Sequence, residues 1–266
     1  MYPETMIDTH CHLTFPPLRA RIDEIRRANR EVGVRGMITI ATTSEGCREN
    51  LELARRYEDV WCSAGVHPLY ADEPVDWALV REAGQDPRCV AWGELGLDMF
   101  HKTPSLERQR AVLEEQLAQL ECWSRDGLEK PVILHCRDAF EELIPMLESS
   151  SLPNESFVFH CFTGGLEEAR AVLDFGAMIS FTGVATYRNA EEVAEVARVV
   201  PEERIMVETD APYLSPEPVR GSHPNLPENV VHTARFIAGL RKADFGAFEA
   251  VLDANAERFF GIVLPG

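Results

Sequence analysis

Eight short apolar runs, separated by longer amphipathic segments, constrain the fold of this chain more than any other feature of its sequence. Most of the runs are nearly continuous Val, Ile, Met, Ala, Trp or Phe, as expected for strands that are buried on both faces. Their alternation with helical segments is typical of repeated strand and helix units around a parallel sheet. The runs are Thr5–Thr9, Gly36–Thr42, Val60–Val66, Cys89–Leu95, Pro131–His135, Phe157–Cys161, Ala177–Phe181 and Ile205–Thr209.

The segments between the runs show helical periodicity. Ile22, Ile25 and Val32 lie at helical spacing, and a longer stripe of leucines follows Thr103 and Pro104. Thr103 can cap a helix there, because Thr is a favoured N-cap residue and Pro is tolerated in the first turn. The stripe consists of Leu106, Leu113, Leu117 and Leu120.

Two further helices are predicted from about Pro227 to Lys242 and from about Ala247 to Phe260. Eight strands joined by helical crossovers favour a closed TIM-type (β/α)8 barrel of the α/β class over an open doubly wound sheet. No linker or break in composition divides the chain, and about 250 residues is the usual size of one such barrel. The sequence therefore predicts a single barrel domain over residues 1–266.

The net charge of −18 argues against a broad basic surface for gripping a nucleic-acid backbone. Nonspecific affinity for phosphates grows with the number of protein cations that displace counterions. A polyanionic substrate must therefore be held locally, and bound divalent cations can do this because they reverse the potential of a site.

The sequence also bears on where the protein works. No apolar run approaches the roughly 18 residues that a membrane span requires, and the first residues lack the basic and apolar segments of a signal peptide. Seven scattered cysteines, an odd number, do not form the pattern of a disulfide framework. We expect a cytoplasmic protein with no membrane contact and no obligate protein partner.

The first run ends in two histidines that are separated by one residue. Side chains alternate faces along a strand, so His10 and His12 point the same way and Cys11 points the opposite way. Two imidazoles on one face can hold a metal ion. Paired histidines can also simply pack or form hydrogen bonds, and the pair alone does not decide between these readings.

Four further runs end in a histidine or a carboxylate. Glu94 lies in an apolar, glycine-rich setting, where a carboxylate is costly unless it is paired or bound to a cation. His135 and His160 each follow three apolar residues, although either one alone could be an ordinary hydrogen-bonded core residue. Asp210 follows the eighth run in a segment that could also be a simple turn. Alternation puts Glu208 on the same face, where it could support a metal ligand from beneath.

A barrel would converge these strand ends on one face, and this convergence predicts a metal site. Six ligands exceed the three that one catalytic Zn²⁺ usually takes from a protein, so we expect two ions with Glu94 as the bridge. Cys11, Cys136 and Cys161 should face away from their neighbouring histidines, which leaves nitrogen and oxygen ligands suited to Zn²⁺, Mn²⁺ or, less naturally, Mg²⁺. The predicted ligands are His10, His12, Glu94, His135, His160 and Asp210.

Two residues outside this set are candidates for holding substrate. His67 follows the third run, close enough to the expected mouth of the barrel to reach substrate, although a capping or structural role is nearly as plausible. Arg220 lies in the loop after the eighth run, where barrels often hold phosphate. Against that reading, an arginine in a loop is usually solvated.

Seven motifs occur in order along nearly the whole chain. They are Ile7–Leu13, Gly65–Pro68, Gly93–Asp98, Leu134–Ala139, His160–Gly164, Glu208–Leu214 and Asn255–Phe259. Each motif is weak alone, but the ordered set closely resembles the TatD family of metal-dependent deoxyribonucleases, within the amidohydrolase-like superfamily. The resemblance implies a barrel and a typical activity of 3′ to 5′ exonuclease action on DNA or RNA.

The resemblance also implies two metal ions that share one carboxylate. One ion would be bound by His10, His12, Glu94 and Asp210, and the other by Glu94, His135 and His160.

In the same family pattern, His67 contacts the substrate phosphate, and Tyr213, Arg220 and Asn225 are further expected substrate contacts. The loop after the eighth run usually reads Arg-Gly, one or two residues, then Asn-Glu-Pro. Here Arg220, Asn225 and Pro227 are kept, but residues are inserted and the acid is missing.

The resulting hypothesis is hydrolysis of phosphodiester bonds by a water that two metal ions activate. Asp210 would take its proton, Glu94 would hold both ions and His67 would hold the phosphate. D-aminoacyl-tRNA deacylation or hydrolysis of another ester is the alternative, since activated water attacks a carbonyl as readily as phosphorus. The third reading is a noncatalytic metal-binding barrel, which is disfavoured because the ligand set looks complete for catalysis.

Overall fold

The computed structural model describes residues 6–265. Thr5 of the first predicted run and the extreme ends of the predicted domain 1–266 lie outside the described residues. Eight strands occur at the positions of the eight predicted runs. They are β1 (Met6–Cys11), β2 (Val34–Thr39), β3 (Val60–Ala64), β4 (Cys89–Asp98), β5 (Val132–Arg137), β6 (Phe157–Phe159), β7 (Met178–Phe181) and β8 (Ile205–Val207).

All eight strands are parallel and pair in the order of the chain, from β1 to β8. Backbone hydrogen bonds join β1 to the residues that follow β8, with Asp210 N donating to His10 O at 2.8 Å and His12 N donating to Ala211 O at 2.7 Å. The sheet therefore closes on itself, which confirms the predicted (β/α)8 barrel and excludes the open doubly wound sheet.

Within the described part of the chain, ten helices connect and flank the strands, together with short 3-10 turns. They are α1 (Pro16–Arg19), α2 (Ile22–Glu31), α3 (Ser44–Arg56), α4 (Trp77–Gly84), α5 (Leu106–Arg125), α6 (Phe140–Glu148), α7 (Leu166–Phe175), α8 (Glu191–Val199), α9 (Val230–Arg241) and α10 (Phe245–Phe260). Within residues 6–265, no helix is both long and apolar enough to cross a membrane.

The helix ends differ in detail from the sequence-based expectation. Ser105, not Thr103, caps α5, because its side chain accepts a hydrogen bond from Arg108 N at 3.2 Å. Val32 follows the end of α2 and is 39% exposed, so it does not extend the buried face of that helix. The helix predicted from Pro227 begins as a 3-10 turn, and α9 itself starts three residues later.

The interior of the barrel is an apolar cluster to which every strand contributes. In β6, Val158 belongs to this cluster, whereas its neighbours Phe157 and Phe159 pack outward under the helices. Ala256 and Phe260 of α10 cover the end of the barrel at which the strands begin. The contribution of each strand in order is Ile7, Ile38, Trp61, Ala91, Ile133, Val158, Met178 and Met206.

Two of the register shifts between neighbouring strands fall at predicted metal ligands. The register of β1 with β2 shifts between Asp8 and Cys11, and that of β4 with β5 shifts between Trp92 and Leu95. A bulge of this kind re-aims the side chains within it. These two shifts contain His10 and Glu94, and both side chains turn toward the C-terminal end of the barrel.

Candidate metal centre

A cavity of about 770 Å³ opens at the C-terminal end of the barrel. All of the predicted ligands except His10 line it. His10 is fully buried, and its ring stacks on that of His160 with the centroids 3.8 Å apart. The six side chains that the sequence nominated therefore lie together, although five different strands or strand ends supply them.

The two carboxylate oxygens of Glu94 face different groups of histidines. Its Oε2 lies 3.3 Å from His10 Nε2. Its Oε1 lies 2.9 Å from His135 Nδ1 and 2.8 Å from His160 Nε2. A carboxylate whose two oxygens face different sets of nitrogen atoms has the orientation that a bridge between two cations requires.

Asp210 completes the group around His10. Its Oδ1 lies 3.2 Å from His12 Nε2 and 3.7 Å from His10 Nε2. The backbone of Asp210 has a φ of 53°, a left-handed conformation that is uncommon for residues other than glycine and that clusters at functional sites. Part of the side chain, 14%, is exposed to the cavity.

The donor set fits a divalent cation. Tetrahedral coordination with bonds of about 2.1 Å separates ligand atoms by about 3.4 Å, close to the distances among His10, His12, Glu94 and Asp210 given above. Among the described residues, neither ring nitrogen of His10 has a hydrogen-bond partner, although both are buried. An orphaned buried nitrogen is costly, and a cation at Nε2 would relieve that cost.

Hydrogen bonds on the far side of three histidine rings select their tautomers. His12 Nδ1 lies 3.3 Å from Ile40 O, and His160 Nδ1 lies 3.1 Å from Glu208 Oε1. A nitrogen that donates to an oxygen carries the proton, so the other ring nitrogen keeps its lone pair. In both rings Nε2, the nitrogen that carries the lone pair in the neutral form, faces the cavity, as a metal ligand requires.

The third of these rings is held by a residue to which the sequence assigned no role. His135 Nε2 lies 2.9 Å from Asp98 Oδ2, which leaves Nδ1 free to face Glu94. Asp98 also contacts His101 Nδ1 at 3.0 Å. Burial raises the pKa of Asp98, but hydrogen bonds from His135 and His101 outweigh it and lower that pKa below its usual range. Asp98 was visible in the motif Gly93–Asp98, but only the contact assigns it a function.

Gly96 allows β4 to approach β5 beside that ring. Its φ is 142°, and a Cβ atom at this position would overlap the carbonyl oxygen of His135. Glycine is therefore required where the two strands carry Glu94 and His135 into the same site.

His67 lies in the cluster but differs from the predicted ligands. Its Nε2 is 3.1 Å from His135 Nδ1 and 3.3 Å from Glu94 Oε1. Its Nδ1 accepts a hydrogen bond from Leu69 N at 3.1 Å, so the proton of the neutral ring is on Nε2. Burial lowers the pKa of His67 to about 4 and keeps the ring neutral. His67 therefore presents a donor to the cavity and no lone pair.

Glu208 lies directly beneath His160. Its Oε1 also accepts a hydrogen bond from Cys161 N at 2.6 Å, and its Oε2 accepts one from Ser180 Oγ at 2.8 Å. The carboxylate is 1% exposed. These contacts hold the Glu208 carboxylate beneath His160. The sequence predicts a residue at this position that supports a metal ligand.

Asp8 is a second buried carboxylate without a sequence-based role. It accepts hydrogen bonds from Thr209 N at 2.8 Å and from His10 N at 3.3 Å. Burial raises the pKa of Asp8 to about 8. Asp8 thus ties the backbone of His10 to the segment that presents Asp210.

Burial raises the pKa of Glu94 as well, but in this case the neighbouring charges dominate. The neighbouring imidazoles, His160 first, hold the pKa of Glu94 well below its usual range. For Asp210, hydrogen bonding and charge from His12 likewise outweigh burial and lower the pKa. Both carboxylates are therefore anionic, the form that binds a cation.

The three cysteines that adjoin histidines do not all behave as alternation predicts. Cys11 faces outward, with Sγ 3.5 Å from Ile38 O. Cys136 packs in the same outer apolar cluster as Cys11, as alternation predicts, whereas Cys161 lines the cavity because β6 ends at Phe159 and the φ of Cys161 is 44°. Burial raises the pKa of Cys161 to about 12, so its thiol stays protonated. Among residues 6–265, the groups suited to a cation contain only His, Asp and Glu.

The three further substrate contacts suggested by the sequence have different environments. Tyr213 lines the cavity and is 48% exposed. Arg220 does not line it, since its guanidinium lies over Tyr187, 3.9 Å from the ring centroid, and 3.5 Å from Asn189 Oδ1.

Asn225 does not reach the cavity either. It is fully buried, its amide donates to Thr209 O at 3.2 Å, and its Oδ1 accepts from Leu226 N and from Asn229 Nδ2, each at 2.9 Å. Its polar atoms are committed to holding the loop, which corrects the expected substrate contact.

A closed barrel with four histidines and two carboxylates at its C-terminal mouth defines the class of metal-dependent barrel hydrolases. The family model described as TatD related DNase matches residues 7–261. The chain belongs to this family, and it is a metal-dependent hydrolase that acts on ester bonds.

Curated relatives match nearly the whole chain. An uncharacterized metal-dependent hydrolase, YcfH from Escherichia coli K12, is 34% identical over 260 residues, covering 97% of this chain and 96% of the relative. The 3′-5′ ssDNA/RNA exonuclease TatD from Erwinia tasmaniensis is 34% identical over 267 residues, covering 97% of this chain and all of the relative.

Among solved structures, YJJV, a TatD homolog from Escherichia coli K12, is 30% identical, with a TM-score of 0.90. The match covers 99% of this chain and all of that one. At this level of similarity the barrel of the present chain is the barrel of its family.

Proposed function

We propose that this protein is a 3′ to 5′ exonuclease acting on single-stranded DNA or RNA in the cytoplasm, with two divalent cations bound at the C-terminal mouth of the barrel. The observation that carries the proposal is that the two carboxylate oxygens of Glu94 face different histidines. Oε2 faces His10, and Oε1 faces His135 and His160. The name of the exonuclease relative supports the choice of nucleic acid as substrate.

The first cation would be held by His10, His12, Asp210 and one oxygen of Glu94. The second would be held by the other oxygen of Glu94 together with His135 and His160. When bound, such a pair supplies Lewis acidity that stabilises the attacking and leaving oxygens of a phosphoryl group. The nitrogen and oxygen donors suit Zn²⁺ or Mn²⁺, and Mg²⁺ less naturally.

Side chains of the protein accept the proton of the attacking water, hold the phosphate and orient the metal-binding histidines. Asp210 is anionic and partly exposed to the cavity, so it can accept a proton from the attacking water. His67 is neutral with its proton on Nε2, so it can donate a hydrogen bond to a nonbridging phosphoryl oxygen. Glu208 and Asp98 hold the rings of His160 and His135 in the tautomers that this arrangement needs.

The test is digestion of single-stranded DNA labelled at its 5′ end, with Mn²⁺ or Mg²⁺ added to the purified protein. We expect a ladder of progressively shorter labelled fragments and release of mononucleotides. Glu94→Ala should lose this activity. Glu141→Ala, which removes an exposed carboxylate of α6, is the matched control and should keep it. Full activity of Glu94→Ala, or of the wild type in excess chelator, would contradict the mechanism.

RNA, a phosphomonoester and D-aminoacyl-tRNA belong in the same assay. Metal-dependent turnover of D-aminoacyl-tRNA with none of the phosphoesters would replace the proposal with ester deacylation. Metal binding without turnover of any substrate would favour a noncatalytic barrel.

A further inference from the structure

Arg137 is a cation at the cavity that the mechanism above does not use. It is the last residue of β5, two positions beyond His135, and it is exposed. Its guanidinium lies over Phe100, 4.2 Å from the ring centroid. Among residues 6–265, no carboxylate forms an ion pair with it. The charge is therefore available to a ligand.

Arg137 is also the one Lys or Arg among the described residues that line this cavity. The same walls carry Glu94, Asp98, Asp138 and Asp210, and the whole chain has a net charge of −18. Apart from the two proposed metal ions, a polyanionic substrate therefore meets one Lys or Arg side chain on these walls, that of Arg137. Arg220, which the sequence suggested as a contact to phosphate, does not line these walls.

The scaffold holds Arg137 in place. Its backbone pairs with Asp98 across β4 and β5, and its carbonyl accepts a hydrogen bond from Met99 N at 2.9 Å. The guanidinium lies over Phe100, a ring that is 54% exposed, and no carboxylate among residues 6–265 occupies its N–H groups. This is the state in which an arginine binds phosphate through two parallel hydrogen bonds.

The position of Arg137 separates it from the proposed metal ligands. Two residues of a strand span about 6.6 Å, so Arg137 lies one such step beyond His135 toward the mouth. His135 faces Glu94, whereas Arg137 lies over Phe100 at the rim.

We propose that Arg137, supported by Phe100, binds a substrate phosphate next to the one that is hydrolysed. The site therefore selects chains with at least two phosphates over isolated phosphodiesters. This inference rests on the proposed nuclease function and names the residue that gives it chain specificity.

The experiment compares wild type with Arg137→Ala and Arg137→Lys on two substrates, a single-stranded oligonucleotide and bis(p-nitrophenyl) phosphate, which has only one phosphate. For the oligonucleotide we expect Arg137→Ala to raise KM about tenfold, the loss of about 1.4 kcal/mol of binding. The ratio of kcat/KM for the oligonucleotide to that for the small diester should fall by a similar factor. Arg137→Lys should recover part of it, because it keeps the charge but not the paired hydrogen bonds.

Salt dependence provides a readout that loss of structure would not move. Each phosphate contact with a single strand contributes about 0.7 to the slope of log affinity against log salt concentration. The slope of log kcat/KM for the oligonucleotide should therefore be shallower by about 0.7 in Arg137→Ala. Arg198→Ala, on the exposed side of α8, is the matched arginine control and should keep the wild-type slope, and Arg220→Ala tests the loop arginine that the sequence suggested instead.

Equal losses on both substrates with an unchanged salt slope would overturn the inference, as would a selective loss in Arg220→Ala instead of Arg137→Ala. In either case the wild type still degrades the oligonucleotide, so the proposed function stands. A wild type that hydrolyses the small diester but no oligonucleotide overturns the proposed function and the inference together.

Discussion

Oδ2 of Asp98 lies 2.9 Å from Nε2 of His135, on the edge of the ring opposite the one that faces Glu94. Because Asp98 accepts the ring proton, the lone pair of His135 is on Nδ1, the nitrogen that faces the proposed metal site. Asp98 thus acts through His135, as a positioning residue.

Replacing Asp98 should weaken metal binding. In Asp98→Ala we expect metal affinity or activity to fall about 10- to 100-fold, the usual effect of removing the partner of a metal-ligating histidine. Titration of the metal-free protein with Mn²⁺ measures the affinity, and nuclease assays measure the activity. Glu141→Ala, another carboxylate-to-methyl change, should leave both as in the wild type. Unaltered affinity and activity in Asp98→Ala would contradict the positioning role.

Removal of the metal ions should destabilise the fold. Glu94 and Asp210 are buried or nearly so, and the proposed cations would offset their charge. A cation present at about 100 times its Kd stabilises the folded state by about 2.7 kcal/mol. In a chain of this size that corresponds to a fall in Tm of about 5 °C upon chelation. Differential scanning calorimetry with and without chelator measures it, and Glu94→Ala should lose most of the shift. An identical Tm in wild-type protein with and without metal would argue against binding at these residues.

Substitution of His67 and substitution of His135 should have different effects on the metal content of the protein. Nδ1 of His67 accepts from Leu69 N, so His67 has no lone pair for a cation. We expect His67→Ala to keep the wild-type metal content and to lose activity, and His135→Ala to lose about one ion per chain. Metal analysis of the purified variants by mass spectrometry, alongside nuclease assays, separates the two effects. Loss of an ion in His67→Ala would make it a ligand after all.

Asn225 should matter to stability. Its buried amide holds Thr209 O and its Oδ1 holds Leu226 N. Asn225→Ala leaves these groups without partners, which costs about 1–3 kcal/mol of the free energy of unfolding. Urea denaturation measures this, with Arg220→Ala as a surface control that should stay within about 0.5 kcal/mol of wild type. A raised KM with unaltered stability would instead restore the role in substrate binding that the sequence suggested.

Local patterns in the sequence were enough to predict the barrel. Each strand is a short apolar run, helical segments separate the runs, and such patterns depend only on neighbours in the chain. The same reasoning found the six candidate ligands, because a histidine or carboxylate that directly follows a buried strand stands out against its apolar surroundings. The prediction of helix ends was less accurate, as the N-cap Ser105 in place of Thr103 illustrates. Residues that can act as caps lie close together in the sequence and compete for this position.

The sequence by itself therefore determined the (β/α)8 barrel and the six side chains at its mouth, which the structure brings together. Only the tertiary structure decided the directions in which these six side chains point. His10 and Glu94 turn inward at register shifts that depend on the neighbouring strand. The tautomer of His135 depends on Asp98, 37 residues away, and the segment before Asp210 is held by Asp8, 201 residues from Thr209. Contacts between such distant residues form only when the barrel closes, so no local pattern contains them.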